Sequence, residues 1–241
     1  TIMKEGEKLI EIISCDDKEK KYYLKSNLST NKIVKHEKIS LKSDLFFALS
    51  INKENLEKIT LKEAHENLKR TISYWKIWLS TLTINKKYER LNERSALILK
   101  LLCYEKTGAI IAAVTSSLPE VIGEERNWDY RHSWLRDGSM TAEILLKLGD
   151  KKPAKRFIHF IFESLKRDKS KQLKIMYPIN YGESLIEQEL LHLDGYKKSK
   201  PVRTGNGAHN QAQHDIYGFF TNLLIQFTHS ELLDIDKDYF K

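Results

Sequence analysis

The sequence predicts a mainly helical protein with a β part at its amino terminus. Short runs in which apolar and polar residues alternate occupy residues 7–50. Longer segments with apolar residues at helical spacing follow, from about residue 54 to residue 229. Strands and helices do not alternate along the chain, which argues against a doubly wound parallel sheet.

The amino-terminal segment is predicted to form strands separated by polar turns. The runs cover residues 8–13, 21–24, 38–41 and 45–50. Alternation with period two is typical of strands that bury one face. Because so few strands cannot complete a sandwich, we expect residues 1–52 to be the end of a β-sandwich that starts before Thr1.

The rest of the chain is predicted to be helical. A long amphipathic helix over residues 54–82 forms a linker within residues 53–85, and further helices are predicted over 89–105, 137–149, 153–167 and 209–229. Gly149 is expected to end one helix and Pro153 to lie near the start of the next. Residues 173–181 are predicted to be extended. Paired helices with long polar loops are typical of a toroid of helical hairpins, begun by residues 86–241.

Composition excludes several classes of protein. Apolar residues make up 41% of the 241 residues, which is enough for a large core, and no apolar run could span a membrane. Cys15 and Cys103 lie far apart in sequence, so we expect no disulfide and a cytoplasmic location. The net charge is +8, yet residues 101–150 are acidic overall. A nucleic-acid partner is therefore not expected.

One loop concentrates residues that suit sugar binding. Residues 126–137 contain three Arg, two Asp, two Trp, one Tyr, one Asn and one His. Aromatic rings stack on the apolar faces of a pyranose, whereas Arg, Asp and Asn form paired hydrogen bonds with its hydroxyls. Arg136 and Asp137 fall at the start of a predicted helix, where the helix dipole and the neighbouring cation favour an ionised carboxylate.

The order of these motifs resembles that of glycoside hydrolase family 15, which contains glucoamylases, glucodextranases and trehalases. One block comprises residues 117–120, 126–131 and 134–137; a second comprises residues 192–196, 201–208 and 211–218. A weaker match covers residues 74–78 and 94–97. The resemblance runs over most of residues 54–229, whereas residues 1–50 match only in type.

The resemblance implies a β-sandwich, a helical linker and an (α/α)6 toroid that hydrolyses glucosides with inversion. It implies that Arg136 and Asp137 grip the first glucose unit. Trp134 would form the wall beside that glucose, and Tyr130 would lie near the attacking water. The remaining matches are Arg203 and Asn206, in a loop facing the leaving group, and Trp128 and Asp129, which either contact the sugar or support the loop.

The family's two catalytic glutamates are expected beyond Lys241, so this chain is predicted to hold no catalytic residue and to be inactive alone. Glu187 and Glu189, two residues apart on a helix, could not face one cleft and are interpreted as surface acids. Glu120 is predicted to fix its loop by accepting backbone hydrogen bonds. Glu124 departs from the family pattern, in which a glycine follows Gly123.

The sequence thus predicts a glycoside hydrolase that releases glucose from an α-glucan or from trehalose. Its partner is an oligosaccharide or disaccharide; no cofactor, metal or membrane is expected, and the exposed apolar helix faces of an open toroid would favour homo-oligomers. His132, His209 and His214 are interpreted as hydrogen-bonding or core residues. Three alternatives stay open: a non-catalytic sugar-binding protein on the same scaffold, a helix-capping role for Arg136 and Asp137, and a structural salt bridge for Arg203.

Overall fold

The computed structural model describes residues 2–4, 8–14 and 19–230. The chain divides into two compact units, Thr1–Trp78 and Leu79–Lys241. It is mainly helical, with a small antiparallel sheet near the amino terminus, which confirms the broad fold class predicted from the sequence. The boundary between the units lies inside residues 53–85, where a helical linker is predicted.

The first unit contains a four-stranded antiparallel sheet. Its strands are β1 (Ile2–Lys4), β2 (Leu9–Ile13), β3 (Lys21–Ser26) and β4 (Phe47–Ser50), and each pairs with the next along the chain. The expected strand at residues 38–41 is absent from the described structure, and a short helix, α1 (Thr30–Val34), was not predicted. Asn27 explains the difference, because its side-chain oxygen accepts a hydrogen bond from the Phe46 backbone and brings β4 directly beside β3.

The single helix predicted over residues 54–82 is wrong, because the segment forms two separate helices. These are α2 (Glu54–Glu57) and α3 (Leu61–Ser80). The hydroxyl of Thr60 accepts a hydrogen bond from the Glu63 backbone N–H, so α3 has its own start. Thr60 and Glu63 have the spacing of a capping box, which marks the break in the sequence itself.

The second unit is built on α4 (Glu89–Leu101), α5 (Leu135–Lys147), α6 (Lys151–Arg167) and α7 (Asp215–His229). Helix α5 packs against both α6 and α7. Helix α4 ends four residues earlier than predicted, and α7 begins six residues later, after a 3-10 turn at Gly207–Asn210. Gly149 lies just past α5 in the left-handed region (φ +100°), as a helix-ending glycine does. Pro153 is the third residue of α6.

The core of the second unit lies between α5, α6 and α7. Gly138 of α5 lets the backbone approach Phe157 of α6, since a Cβ at this glycine would lie 2.4 Å from the ring. Burial raises the pKa of the Cys103 thiol to about 11, which makes the reactive thiolate scarce. Cys15 is outside the described residues. The largest fully buried side chains of the unit are Phe157, Phe160, Phe227, Ile110, Leu135, Leu145, Ile161, Ile175, Met176, Leu223 and Asn127.

Two short antiparallel ladders organise the loops. Strand β5 (Ser133–Trp134) pairs with β6 (Met176–Tyr177), the only strand formed within the predicted extended segment 173–181 in the described structure. Strand β7 (Gln188–Glu189) pairs with β8 (Arg203–Thr204). The first ladder places Trp134 immediately before α5 and thereby sets where that helix begins.

Candidate sugar-binding site

Two long loops meet at the helix ends that carry the predicted site. The loop between α4 and α5 and the loop between α6 and α7 are joined by hydrogen bonds. The Ser116 hydroxyl donates to the Arg203 carbonyl at 2.9 Å, and the buried Asn127 amide donates to the Ser199 carbonyl at 3.1 Å. Because α5 and α7 both begin where these loops end, their first turns lie next to each other.

Asp129 is the centre of the loop assembly. Its side chain is 1% exposed and accepts hydrogen bonds from the backbone N–H, Nε and Nη2 of Arg131, and from the Gly205 backbone N–H at 3.2 Å. Burial alone would raise the pKa of Asp129, but the hydrogen bonds and charge of Arg131, with His132, outweigh burial and hold that pKa below 3.8. Asp129 is therefore an ionised anchor between the two loops.

Arg203 is turned into the loop assembly. Its side chain is 9% exposed and donates through Nη1 to the Glu125 carbonyl and the Asn127 side-chain oxygen, both at 2.8 Å. The guanidinium lies 4.7 Å from the centre of the Trp128 ring. Its Nε is 3.3 Å from the Glu187 carboxylate. The sequence left open whether Arg203 forms a structural salt bridge, and this geometry is that of such a bridge.

Glu187 and Glu189 take a role that the sequence interpretation excluded. They flank Gln188 on an extended segment. Because alternate residues of a strand point to the same side, the two side chains share a face, whereas on a helix they would not. Both carboxylates lie within 4 Å of the Arg203 guanidinium, at 3.3 and 3.7 Å. Both side chains remain partly exposed, as surface acids do, at 27% and 51%; only the assumption that they lie on a helix is wrong.

Asn206 also faces inward. It is 5% exposed; its amide donates to the Asp129 carbonyl at 3.1 Å, and its oxygen accepts from the Ala208 backbone at 3.0 Å. The preceding Gly205 has a φ of +73°, and a Cβ there would lie 2.2 Å from the Ile186 carbonyl oxygen. A glycine is thus required for Asn206 to reach Asp129.

Arg136 and Asp137 lie together in the first turn of α5 and are partly exposed, although Asp137 Oδ2 itself is buried without a hydrogen-bond partner among the described residues. Their side chains are 36% and 41% exposed, and Arg136 Nη2 is 3.4 Å from Asp137 Oδ2. Arg136 Nη1 also lies 3.4 Å from Asp215 Oδ2 of α7 and 3.5 Å from Gln213 Oε1. Gln213 and Asp215 were not singled out as site residues, although the second motif block contains both.

Tyr130 and Trp134 belong to the segment that leads into the first turn of α5, where Arg136 and Asp137 lie. Burial raises the pKa of the Tyr130 hydroxyl, and the negative charges of Glu120 and Asp137 add to the shift. Trp134 precedes α5, and its indole Nε1 is buried without a hydrogen-bond partner in the described structure. A buried donor of this kind calls for a ligand or water.

Two other predictions concern individual side chains. The carboxylate of Glu120 is 3.6 Å from the exposed Arg126 and accepts no backbone hydrogen bond among the described residues, whereas the Glu120 backbone N–H donates to the Arg126 carbonyl. The predicted loop-fixing carboxylate is thus Asp129 instead. The histidines were predicted to be hydrogen-bonding or core residues. His209 Nδ1 lies at hydrogen-bond distance, 3.0 Å, from the Asn206 carbonyl. His132 is partly buried, and burial lowers its pKa.

Metal-ligating clusters and membrane-spanning helices are both missing from the described ranges. Among residues 2–4, 8–14 and 19–230, no group of His, Cys, Asp and Glu side chains has the arrangement of a metal site. Of the helices in the same ranges, none combines the length and the apolar character that crossing a bilayer requires.

Comparisons with known proteins identify the family. A trehalase of Mycolicibacterium smegmatis is 42% identical over 178 residues, which cover 73% of this chain and 26% of that protein. A trehalase of Thermoplasma acidophilum is 41% identical over 156 residues (65% and 26%), and one of Mycobacterium tuberculosis is 41% identical over 178 residues (73% and 26%). The chain spans about a quarter of the length of these relatives. No solved structure matches it significantly. The model of glycosyl hydrolases family 15 matches residues 86–241, and the chain therefore belongs to this family.

Proposed function

We propose that the full-length protein hydrolyses α-glucosidic bonds and that trehalose is its preferred substrate. The preference is supported by the curated relatives named trehalase, about 40% identical over most of this chain. The sequence motifs alone left starch-type, dextran-type and trehalose substrates open. Residues 1–241 contribute part of the glucose-binding subsite.

The observation that carries this proposal is the accessible Arg136–Asp137 pair beside Trp134. A guanidinium and a carboxylate 3.4 Å apart offer donors and acceptors to adjacent sugar hydroxyls. Trp134 adds an aromatic surface and a buried N–H group that has no partner in the described structure. In a pure helix cap both side chains would be satisfied by their own helix, yet Arg136 reaches across to α7.

The eight predicted site residues then divide into two roles. Arg136, Asp137, Trp134 and Tyr130 contact the sugar in this proposal. Trp128, Asp129, Arg203 and Asn206 hold the two loops in place from inside in this proposal, because Asp129, Arg203 Nη1 and Asn206 are bonded to neighbouring groups and the Trp128 ring lies against the Arg203 guanidinium. The expected leaving-group contact of Arg203 and Asn206 is replaced by this supporting role.

The proposed architecture is an (α/α)6 toroid in which α4 to α7 are the first four helices, preceded by a sandwich end and a linker. The packing of α5 against both α6 and α7 supports it. The proposed mechanism inverts the anomeric carbon, which needs a carboxylic acid and a carboxylate about 6.5–9.5 Å apart. Asp129, ionised and buried, is unsuited to the acid role. We assign both catalytic carboxyl groups to sequence after Lys241.

The test is a substrate panel on the full-length protein, with trehalose, maltose, isomaltose and starch. We expect trehalose to react fastest, and NMR during the first turnovers to show one α- and one β-glucose per trehalose, as inversion requires. Two α-glucose molecules would contradict the mechanism. Sugar binding without release of glucose would favour the non-catalytic sugar-binding alternative.

The fragment provides a second test. Residues 1–241 alone should release no glucose from any of the four sugars, because the acid and base are missing. Glucose release by this fragment at a rate near that of the full-length protein would disprove the assignment of the catalytic groups to sequence after Lys241.

A further inference from the structure

The Arg136 guanidinium lies between acceptors from two different helices. On one side, Asp137 Oδ2 of α5 is 3.4 Å from Nη2. On the other side, Asp215 Oδ2 is 3.4 Å and Gln213 Oε1 is 3.5 Å from Nη1. Gln213 and Asp215 are 77 and 79 residues away in sequence, so only the packing of α7 beside α5 brings them to Arg136.

Asp215 is committed to this arginine. In the described part of the chain, Arg136 is the one cation within ion-pair distance of Asp215. The Asp215 carboxylate is 44% exposed, much like the 36% of Arg136, so the pair borders the same open surface. Gln211 orients Gln213, because the Gln213 side-chain amide donates a hydrogen bond to the Gln211 side-chain oxygen at 3.1 Å. Both acceptors are therefore available to hold Nη1.

The second carboxylate has a consequence for Asp137. A long arginine side chain that is one-third exposed has many rotamers, and a single neighbouring carboxylate would draw it into a closed pair. That closed pair would consume the hydrogen-bonding capacity of Asp137 that the proposed sugar contact needs. A competing carboxylate on α7 holds Arg136 between the two helices and leaves Asp137 free to accept from a hydroxyl.

We infer that Asp215, assisted by Gln213, is a positioning residue of the glucose-binding subsite: it orients Arg136 and keeps Asp137 available to the sugar. The inference rests on the proposed function, since it concerns the same subsite. Asp215 acts through Arg136 and does not touch the reacting atoms. Its removal therefore weakens sugar binding only while Arg136 is present.

The experiment is a double-mutant cycle in the full-length protein, with kcat and KM measured on trehalose. We expect Asp215→Asn to lower kcat/KM about tenfold, mainly through KM, and Gln213→Ala to lower it about threefold. Asp215→Glu should restore most of the loss because it keeps the charge. In an Arg136→Lys background, Asp215→Asn should have almost no further effect, since lysine lacks the planar fork that both acceptors hold.

Glu89→Gln is the matched control, because Glu89 is also an acidic residue in the first turn of a helix, α4, outside the two loops that form the site. It should leave kcat/KM unchanged, which separates positioning from a general loss at a helix start. Asp215→Asn and Asp215→Ala should both keep the wild-type unfolding temperature. Independent, multiplicative effects of Asp215→Asn and Arg136→Lys, or no effect of Asp215→Asn, would overturn the inference and leave the proposed function intact. A wild-type protein that hydrolyses none of the four sugars would overturn both.

Discussion

Two arginine–carboxylate clusters lie in the same pair of loops and differ in burial. In one, Arg203 and Asp129 are 9% and 1% exposed, and their hydrogen bonds go to Asn127, Arg131 and the backbone. In the other, Arg136 and Asp137 are 36% and 41% exposed and have few competing partners. The residue types are the same, yet the first cluster is enclosed and the second is partly exposed to solvent.

The comparison shows that residue type alone does not identify a ligand-binding residue. A buried charge must be paired before any ligand arrives, because desolvation without a partner costs several kcal/mol. Once it is paired and enclosed, it is hardly accessible to a sugar hydroxyl. An exposed pair is kept hydrated by water, and a sugar can replace that water at low cost. Burial thus separates Asp129, Arg203 and Asn206, for which we propose a supporting role, from Arg136 and Asp137, for which we propose sugar contact.

The largest expected effect is the loss of Asp129. Asp129→Ala should lower the free energy of unfolding by about 3 kcal/mol, because it leaves Arg131 and the buried Gly205 N–H without their acceptor. Chemical denaturation of the full-length protein measures this. Asp137→Ala is the control from the open cluster and should cost less than about 1 kcal/mol. Equal costs at the two positions would contradict the division.

The second prediction concerns the exposed cluster, where a substitution should lower activity and leave stability nearly unchanged. Asp137→Asn should lower kcat/KM on trehalose about 100-fold, which corresponds to about 2.7 kcal/mol for a charged hydrogen bond to the sugar. Unfolding should change little, since the Asp137 side chain is 41% exposed and the asparagine has nearly the same shape. Asp194→Asn, at an exposed carboxylate paired only with Lys200 among the described residues, should alter neither quantity. A stable Asp137→Asn variant with full activity would remove Asp137 from the site.

The third prediction concerns the helix that presents the open cluster. Gly138→Ala places a Cβ 2.4 Å from the Phe157 ring, and the overpacking should cost about 1–3 kcal/mol despite alanine's better helix propensity. Gly218→Ala in α7 is the matched control, because a Cβ added there would meet no described atom within 4 Å. That change should stabilise the protein by up to about 1 kcal/mol. Thermal unfolding of the two variants should therefore shift in opposite directions.

The smallest effect is a pH dependence carried by the buried cluster. The folded-state pKa of Asp129 is below 3.8, so the stability it contributes is present above that pH and is lost as pH falls through the folded value. Unfolding free energies measured from about pH 5 to pH 2 should fall less steeply for Asp129→Asn than for the wild type. Identical slopes for wild type and Asp129→Asn would show that another group carries the acid sensitivity.

Errors in the sequence-based prediction have identifiable physical causes. The break between α2 and α3 was readable from the Thr60 and Glu63 capping box, so that signal was present and overlooked. The pairing of Glu187 and Glu189 with Arg203 was not readable, because it depends on a two-residue strand that only its partner β8 stabilises. The late start of α7 follows from the 3-10 turn at Gly207–Asn210, where the Asn206 side chain caps the turn.

The sequence by itself determined the family and the broad fold class and indicated the loop in which we propose the site, because apolar periodicity and motif order are local properties of the chain. Tertiary structure decided which charged residues in that loop are occupied. Arg203 and Arg136 look alike in sequence, but residues up to 78 positions away bury the first, whereas α7 presents Asp215 to the second and leaves it open. Solvent exposure and available hydrogen-bond partners depend on that packing, and they determine which side chains can receive a sugar.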